Sequence, residues 1–224
     1  MTNPRKENFT LILPEVQDVL NRLHALADTG DDGIIREVQE NNPDWRSAGP
    51  EEKARMFRSI LIPVSRENGR FLYSVARSIS AKRIVEFGTS YGVSAIYLAA
   101  ALRDNGGGLL VGTELETGKV AKAVQHVAEA GLSPMVEIRA GDALQTLKHF
   151  SGNIDLLFLD GWKGLYLDVL HLVSGSLRKG SVVLADDLDI VEVAPYLDYV
   201  RNPANGFVSV MLPLDEGIEY SVKL

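Results

Sequence analysis

Apolar positions along this chain follow two different periods, and the change between them divides it. Val16, Val19, Leu20, Leu23 and Leu26 recur every three or four residues, which predicts a helix over 16–27. The chain around it is polar and punctuated, at Thr29-Gly30-Asp31-Asp32-Gly33, at Asn41-Asn42-Pro43 and at Gly49-Pro50, and a break is expected at each. A second helix is predicted over 64–79, with Phe71, Leu72, Val75 and Ala76 on one face. From Arg83 onward, short β-branched runs alternate with amphipathic stretches. The runs 84–87, 109–113, 136–138, 154–159 and 182–185 read as strands; 93–102, 119–130, 144–150, 165–177 and 193–200 read as helices. That alternation predicts an α/β fold, a doubly wound parallel sheet with helices on both faces. Two final strand-like runs, 207–212 and 218–222, are joined only by Pro213-Leu214-Asp215-Glu216-Gly217. So short a link permits antiparallel pairing alone, so the sheet should end in an antiparallel β-hairpin. Residues 1–60 then form an N-terminal helical extension or lid packed on the main domain, which runs over 61–224.

Composition narrows the functional classes. At 224 residues and 46% hydrophobic, the chain suits one domain with a sizeable core and a short extension. A net charge of −7 argues against a nucleic-acid partner. The absence of cysteine excludes disulfides, zinc thiolates and cysteine nucleophiles. No run approaches the ~20 apolar residues of a membrane span, and Met1-Thr2-Asn3-Pro4-Arg5-Lys6 leads into no secretory signal. A cytoplasmic protein with no membrane partner is expected. His24, His126, His149 and His171 fall in predicted helices without metal-ligand spacing, which assigns them surface or packing roles. Arg178-Lys179, at a helix end, suits the helix dipole and needs no partner.

Chemistry-bearing residues gather at the carboxyl ends of the predicted strands, where open α/β sheets bind ligands. The run Ile154–Leu159 ends in Asp160, followed by Gly161-Trp162-Lys163, and Val182-Val183-Leu184-Ala185 ends in Asp186-Asp187. Carboxylates converging from two strands suggest a cation, and the lysine a proton acceptor. After the first strand, Gly88-Thr89-Ser90-Tyr91-Gly92 is either a glycine turn approached by a ligand or a plain strand-to-helix turn. Its spacing is neither G-x-G-x-x-G nor a P-loop. Glu114, ending the second strand, could accept both hydroxyls of a ribose or simply open a loop. Asp142 could meet an adenine amine, cap a helix, or do both.

Taken together, Glu86-Phe87-Gly88-Thr89-Ser90-Tyr91-Gly92, Glu114 and Gly141-Asp142-Ala143 resemble the successive cofactor motifs of class I S-adenosylmethionine-dependent methyltransferases. Phe158-Leu159-Asp160-Gly161-Trp162-Lys163 and the stretch from Leu177 to Asp187 resemble the metal-dependent catechol O-methyltransferase group. The resemblance runs from about Ile62 onward and implies a Rossmann-like sheet. It also implies Mg²⁺ held by Asp160, Asp186 and Asp187, with Lys163 as general base. For S-adenosylmethionine it implies Gly88, Ser90, Tyr91 and Gly92 beside the methionine part, and Glu114 on the ribose. Asp142 and Ala143 would meet the adenine, and Trp162 would pack near the cofactor beside Asp160. Pro63, Val64 and Ser94 would enclose the amino-acid end, with Glu86 near its amine.

Two features depart from the family pattern. Asp187 stands where an asparagine is usual. The acid that binds a second catechol hydroxyl has only Asp215 or Glu216 as a substitute. Trp45 is expected to pack the extension down or to line the acceptor pocket. The resulting expectation is an O-methyltransferase for a small phenolic or catechol-like acceptor, possible as a homodimer. The alternatives are a metal-independent methyltransferase and a non-catalytic S-adenosylmethionine-binding regulator, with a nicotinamide dehydrogenase more distant.

Overall fold

In the computed structural model, residues 9–224 are described; residues 1–6, read above for a secretory signal, lie outside them. Five strands form the parallel part of the sheet: β1 (Arg83–Phe87), β2 (Leu109–Glu114), β3 (Val136–Ala140), β4 (Ile154–Leu159) and β5 (Leu177–Ala185). Two more, β6 (Phe207–Leu212) and β7 (Ile218–Lys223), make the antiparallel hairpin. The order is β3-β2-β1-β4-β5-β7-β6, so the last strand enters between β5 and its own hairpin partner. β1 and β4 are the central strands. Leu156, Leu157, Phe158 and Leu159 are buried on both faces, which explains why the sequence there is a continuous apolar run and not an alternating one.

Helices cover both faces and divide the interior into two clusters. On one face lie α1 (Pro14–Asn41), α3 (Arg66–Ser78), α4 (Val93–Asp104) and α5 (Thr117–Glu129). Positions 93 to 102 of α4 are all buried, since the helix lies between the sheet and α1 and α3; a helix covered all round has no polar stripe. On the other face are α6 (Ala143–Thr146), α7 (Tyr166–Val173) and α8 (Ala194–Arg201). A short α2 (Pro50–Met56) sits ahead of α3. Val16, Val19, Leu20 and Leu23 of α1 join the same core as the sheet.

Several elements differ from the sequence expectation. The helix expected over 16–27 runs unbroken through Gly30 and Gly33 to Asn41. Neither glycine meets a neighbour, and the buried Asp31 between them is tied to backbone amides of a distant turn, so tertiary bonding overrides two helix-weakening residues. Gly49-Pro50, read as a break, opens α2: the proline stands at its first position with Glu51 and Glu52 in the first turn. The helix expected over 144–150 shortens to α6 and continues as isolated turns. The one expected over 165–177 is trimmed to α7, because Leu177 is drawn into β5 opposite Ile154. Among the described residues, no helix is long and apolar enough to cross a membrane.

Candidate active site

The carboxyl ends of β1, β2 and β4 open into a cavity of about 700 Å³, at the point where strand order reverses between β1 and β4. A narrower recess continues it past Gly88, Ser90 and Asp160 to Pro63, Val64, Tyr91 and Ser94. Gly88 has φ +98°, and a Cβ there would collide with the backbone of Asp160 and Gly161. Only glycine lets the ends of β1 and β4 approach so closely. Gly92 differs: it caps α4 at φ +88°, and a Cβ would stand 3.2 Å from that of Ala123. It lies outside the cavity lining and serves the packing of α4 on α5.

At the end of the cavity formed by β2 and β3, Glu114 accepts from the Ser90 N–H (2.8 Å) through one oxygen and from the Glu116 N–H (2.8 Å) through the other. Two backbone donors fix its orientation, and each oxygen keeps a lone pair for a ligand. Asp142 accepts from the Leu144 N–H at 2.9 Å, capping α6, and still lines the cavity beside Ala143. The capping role is therefore realised, and the carboxylate still faces the cavity.

Glu86 is wholly buried below the floor. Thr89 donates to its Oε2 at 2.6 Å, while Oε1 has no partner. Burial pushes this carboxyl up to about 7, against the pull of the nearby Ser94 and Thr89 hydroxyls. Tyr91 donates to the Arg58 carbonyl at 3.1 Å, and its ring stacks on His126, which is a buried packing residue.

The other end of the cavity is acidic. Lys163 Nζ lies 2.7 Å from Asp187 Oδ2 and 3.3 Å from Asp160 Oδ1. Asp186 is buried behind them; its Oδ1 accepts from the Asp187 N–H (3.1 Å) and from Asn68 Nδ2 (3.4 Å). Burial, then the charge of Asp187, pushes the Asp160 carboxyl up to about 7 against the pull of Lys163. Burial and the charges of Asp160 and Asp187 push Asp186 up to about 8. Burial opposes the charge of Lys163, but Tyr166, Asp160 and Asp187 outweigh it and hold the lysine as ammonium.

The donors are hard oxygens with more carboxylate than one lysine neutralises, which is the chemistry Mg²⁺ takes. Among the described residues, however, no three such side chains already converge as a metal cluster. Asp187, at φ +58°, faces Lys163 instead.

Lining the cavity or its recess are Val64, Gly88, Ser90, Tyr91, Ser94, Glu114, Asp142, Ala143, Asp160, Trp162, Lys163 and Asp187; Glu86, Gly92 and Asp186 lie behind its walls. Trp45 both packs and lines, meeting Phe57 edge-on at 5.1 Å, and Phe57 in turn meets Trp162 at 6.2 Å. Asp215 and Glu216 sit exposed on the hairpin turn and do not reach the cavity. Glu192, Lys53, Phe57, Ile62 and Lys119 do reach it, and sequence reasoning missed them. Only the Pro50-Glu51-Glu52 helix start could have drawn attention to Lys53 and Phe57.

Residues 85–188 match a family described as a methyltransferase domain. The chain is 36% identical over 152 residues to catechol O-methyltransferase B of Danio rerio, covering 65% of this chain and 57% of that protein. It is 33% identical over 206 residues to catechol O-methyltransferase of Mus musculus, covering 85% and 74%. The chain thus spans little more than half the length of the first of these relatives and about three quarters of the second. Among solved structures it is similar to the O-methyltransferase TomG from Streptomyces achromogenes, involved in tomaymycin synthesis and crystallised in complex with SAM. The TM-score is 0.64 at 26% identity, covering 78% of this chain and 87% of that one.

Proposed function

Since this chain belongs to the catechol O-methyltransferase family of S-adenosylmethionine-dependent methyltransferases, we propose that it transfers a methyl group to a hydroxyl of a small phenolic or catechol-like acceptor. One observation carries the proposal: a single cavity joins the Gly88 turn, Glu114 and Asp142 to the acid–lysine cluster of Asp160, Lys163 and Asp187. The first group suits an adenosine, and the second suits a hydroxyl that must lose a proton.

Bound there, S-adenosylmethionine would supply an electrophilic methyl to the acceptor oxygen, the O–C bond forming as the C–S bond breaks, with the neutral thioether as leaving group. Positioning supplies much of such an acceleration. Glu114 would hold the ribose hydroxyls through the lone pairs its two backbone donors leave free. Glu86, with an unpartnered buried oxygen, would favour the cationic amine at the amino-acid end of the recess. Trp45, Phe57 and Trp162 would wall the acceptor's ring.

Asp160, Asp186 and Asp187 would hold Mg²⁺ through oxygen, which would stabilise the acceptor's phenolate. Lys163 could act as a base only when its neighbouring carboxylates are otherwise engaged; Tyr166, Asp160 and Asp187 together now keep it protonated. With the carboxylates claimed, its Nζ could take the acceptor's proton.

A panel of phenolic acceptors assayed with S-adenosylmethionine, with and without Mg²⁺, tests the reading. Methylated product that disappears in EDTA and returns with Mg²⁺ is the expected result. Full turnover in chelator would remove the metal from the scheme and leave a metal-independent methyltransferase. Binding without any product across the panel would leave a regulator.

A further inference from the structure

Ile62 stands at φ +41°, a left-handed conformation that β-branched residues rarely adopt. It is 55% exposed, and it lines both the cavity and its recess. A residue stays in such a conformation only where its surroundings over-determine it. The restraint comes from α1. Asp31, 7% exposed, accepts from the N–H of Leu61 at 3.0 Å and from the N–H of Ile62 at 2.7 Å, one carboxylate oxygen to each. From the opposite side, Ser90 Oγ donates to the Leu61 carbonyl at 2.9 Å. The Ser90 N–H donates to Glu114, and Lys119 Nζ reaches Ser90 Oγ at 3.2 Å. The turn at 61–62 is therefore clamped between a carboxylate of the N-terminal helix and the residue that orients Glu114.

We infer that Asp31 is a positioning residue for cofactor binding: it holds the strained 61–62 turn as a wall where the cavity passes into its recess. The inference rests on the reading of that cavity as the S-adenosylmethionine site. A residue that merely fastened α1 to the body would lower stability when removed, but would leave the folded protein's cofactor affinity unchanged. Asp31 instead acts through the backbone of Ile62, so its effect should depend on how much that backbone resists the left-handed conformation. Glycine adopts it at little cost. Replacing Ile62 by glycine should therefore make the clamp partly dispensable.

The test is calorimetry of S-adenosylhomocysteine binding to the full chain as wild type, Asp31→Asn, Ile62→Gly and the double variant, with thermal melts to establish folding. Loss of charge-assisted hydrogen bonds to the turn should raise the Asp31→Asn dissociation constant roughly tenfold. The KM for S-adenosylmethionine should rise with it, while kcat at saturation stays within about twofold. In the glycine background the same substitution should cost less than about threefold, the non-additivity expected of coupled sites. A folded Asp31→Asn protein with wild-type affinity overturns the inference, as does an equal loss in both backgrounds. If the wild type binds no S-adenosylhomocysteine, the cofactor reading falls and takes this inference with it. Should Asp31→Asn not fold, hydrogen exchange of the Leu61 and Ile62 amides in the wild type decides. Slower exchange on adding S-adenosylhomocysteine supports the clamp, and unchanged exchange overturns it.

Discussion

Lys163 is a residue whose role depends on what its neighbours are doing. Held by Asp187 and Asp160, it is an ammonium and part of a half-buried ion cluster. Relieved of them, it would be a free amine lining the cavity in which an acceptor is proposed to bind. Lys163→Ala should leave S-adenosylhomocysteine affinity within a few-fold while kcat falls by about 10²–10⁴, the usual worth of a positioned base. Normal turnover in that variant would free the lysine of the role. Glu86 gives a separate prediction. Its carboxyl is raised from 4.5 to about 7 in the folded protein, so its contribution to stability is complete below pH 4.5 and is lost as pH rises through 7. Across that window the loss amounts to about 3 kcal/mol, since a tenfold change in proton affinity corresponds to roughly 1.4 kcal/mol. Glu86→Gln should flatten the fall in urea midpoint between pH 5 and 8 relative to wild type. Asp160 and Asp186 titrate in the same direction and remain in both proteins, and since the charge of Glu86 also raises Asp160, the difference between the two curves reads Glu86 together with its coupling to Asp160. Asp160, Glu114 and Asp142 could be found in the sequence because each stands at or just past the end of a strand-like run. Ile62 and Lys119 could not, since no local pattern records which loop a chain folds against.

Among elements, α1 departs furthest from its sequence signal. Thr29-Gly30-Asp31-Asp32-Gly33 has the composition of a turn and the structure of a helix interior. A Cβ added at Gly33 would meet nothing within 4 Å, and the residue is exposed. Gly33→Ala should thus stabilise the chain by about 0.5–1 kcal/mol, raising the melting temperature by roughly 1–4 °C. An unchanged or lower melting temperature would mean that the helix does not persist there in solution. Gly88 is the contrast, with a left-handed backbone and no room for a methyl group. The two glycines looked alike as letters, and only the surroundings separate them. Strands were more legible than helices: β4 and β6 begin and end where their apolar runs do. α6 and α7 came out shorter than their patterns, because apolar spacing continues into turns that pack equally well without helical hydrogen bonds.

At the scale of the whole molecule, alternation of strands and helices made the doubly wound class readable, and the short 213–217 link made the hairpin readable. The order β3-β2-β1-β4-β5-β7-β6 was not readable, because strand adjacency rests on contacts between distant segments. The cavity inherits that limit: its acids come from strands whose neighbours only the fold decides. The position of β7 has a consequence in time as well as in space. β6 pairs with β7 and with no other described strand, whereas β7 also pairs with β5. Whenever β7 parts from β5, β6 must leave with it, while β1 and β4 remain enclosed. Backbone amides across β6 and β7 should therefore open in a common, lower-energy event, exchanging with solvent deuterium together and well before those of β1 and β4.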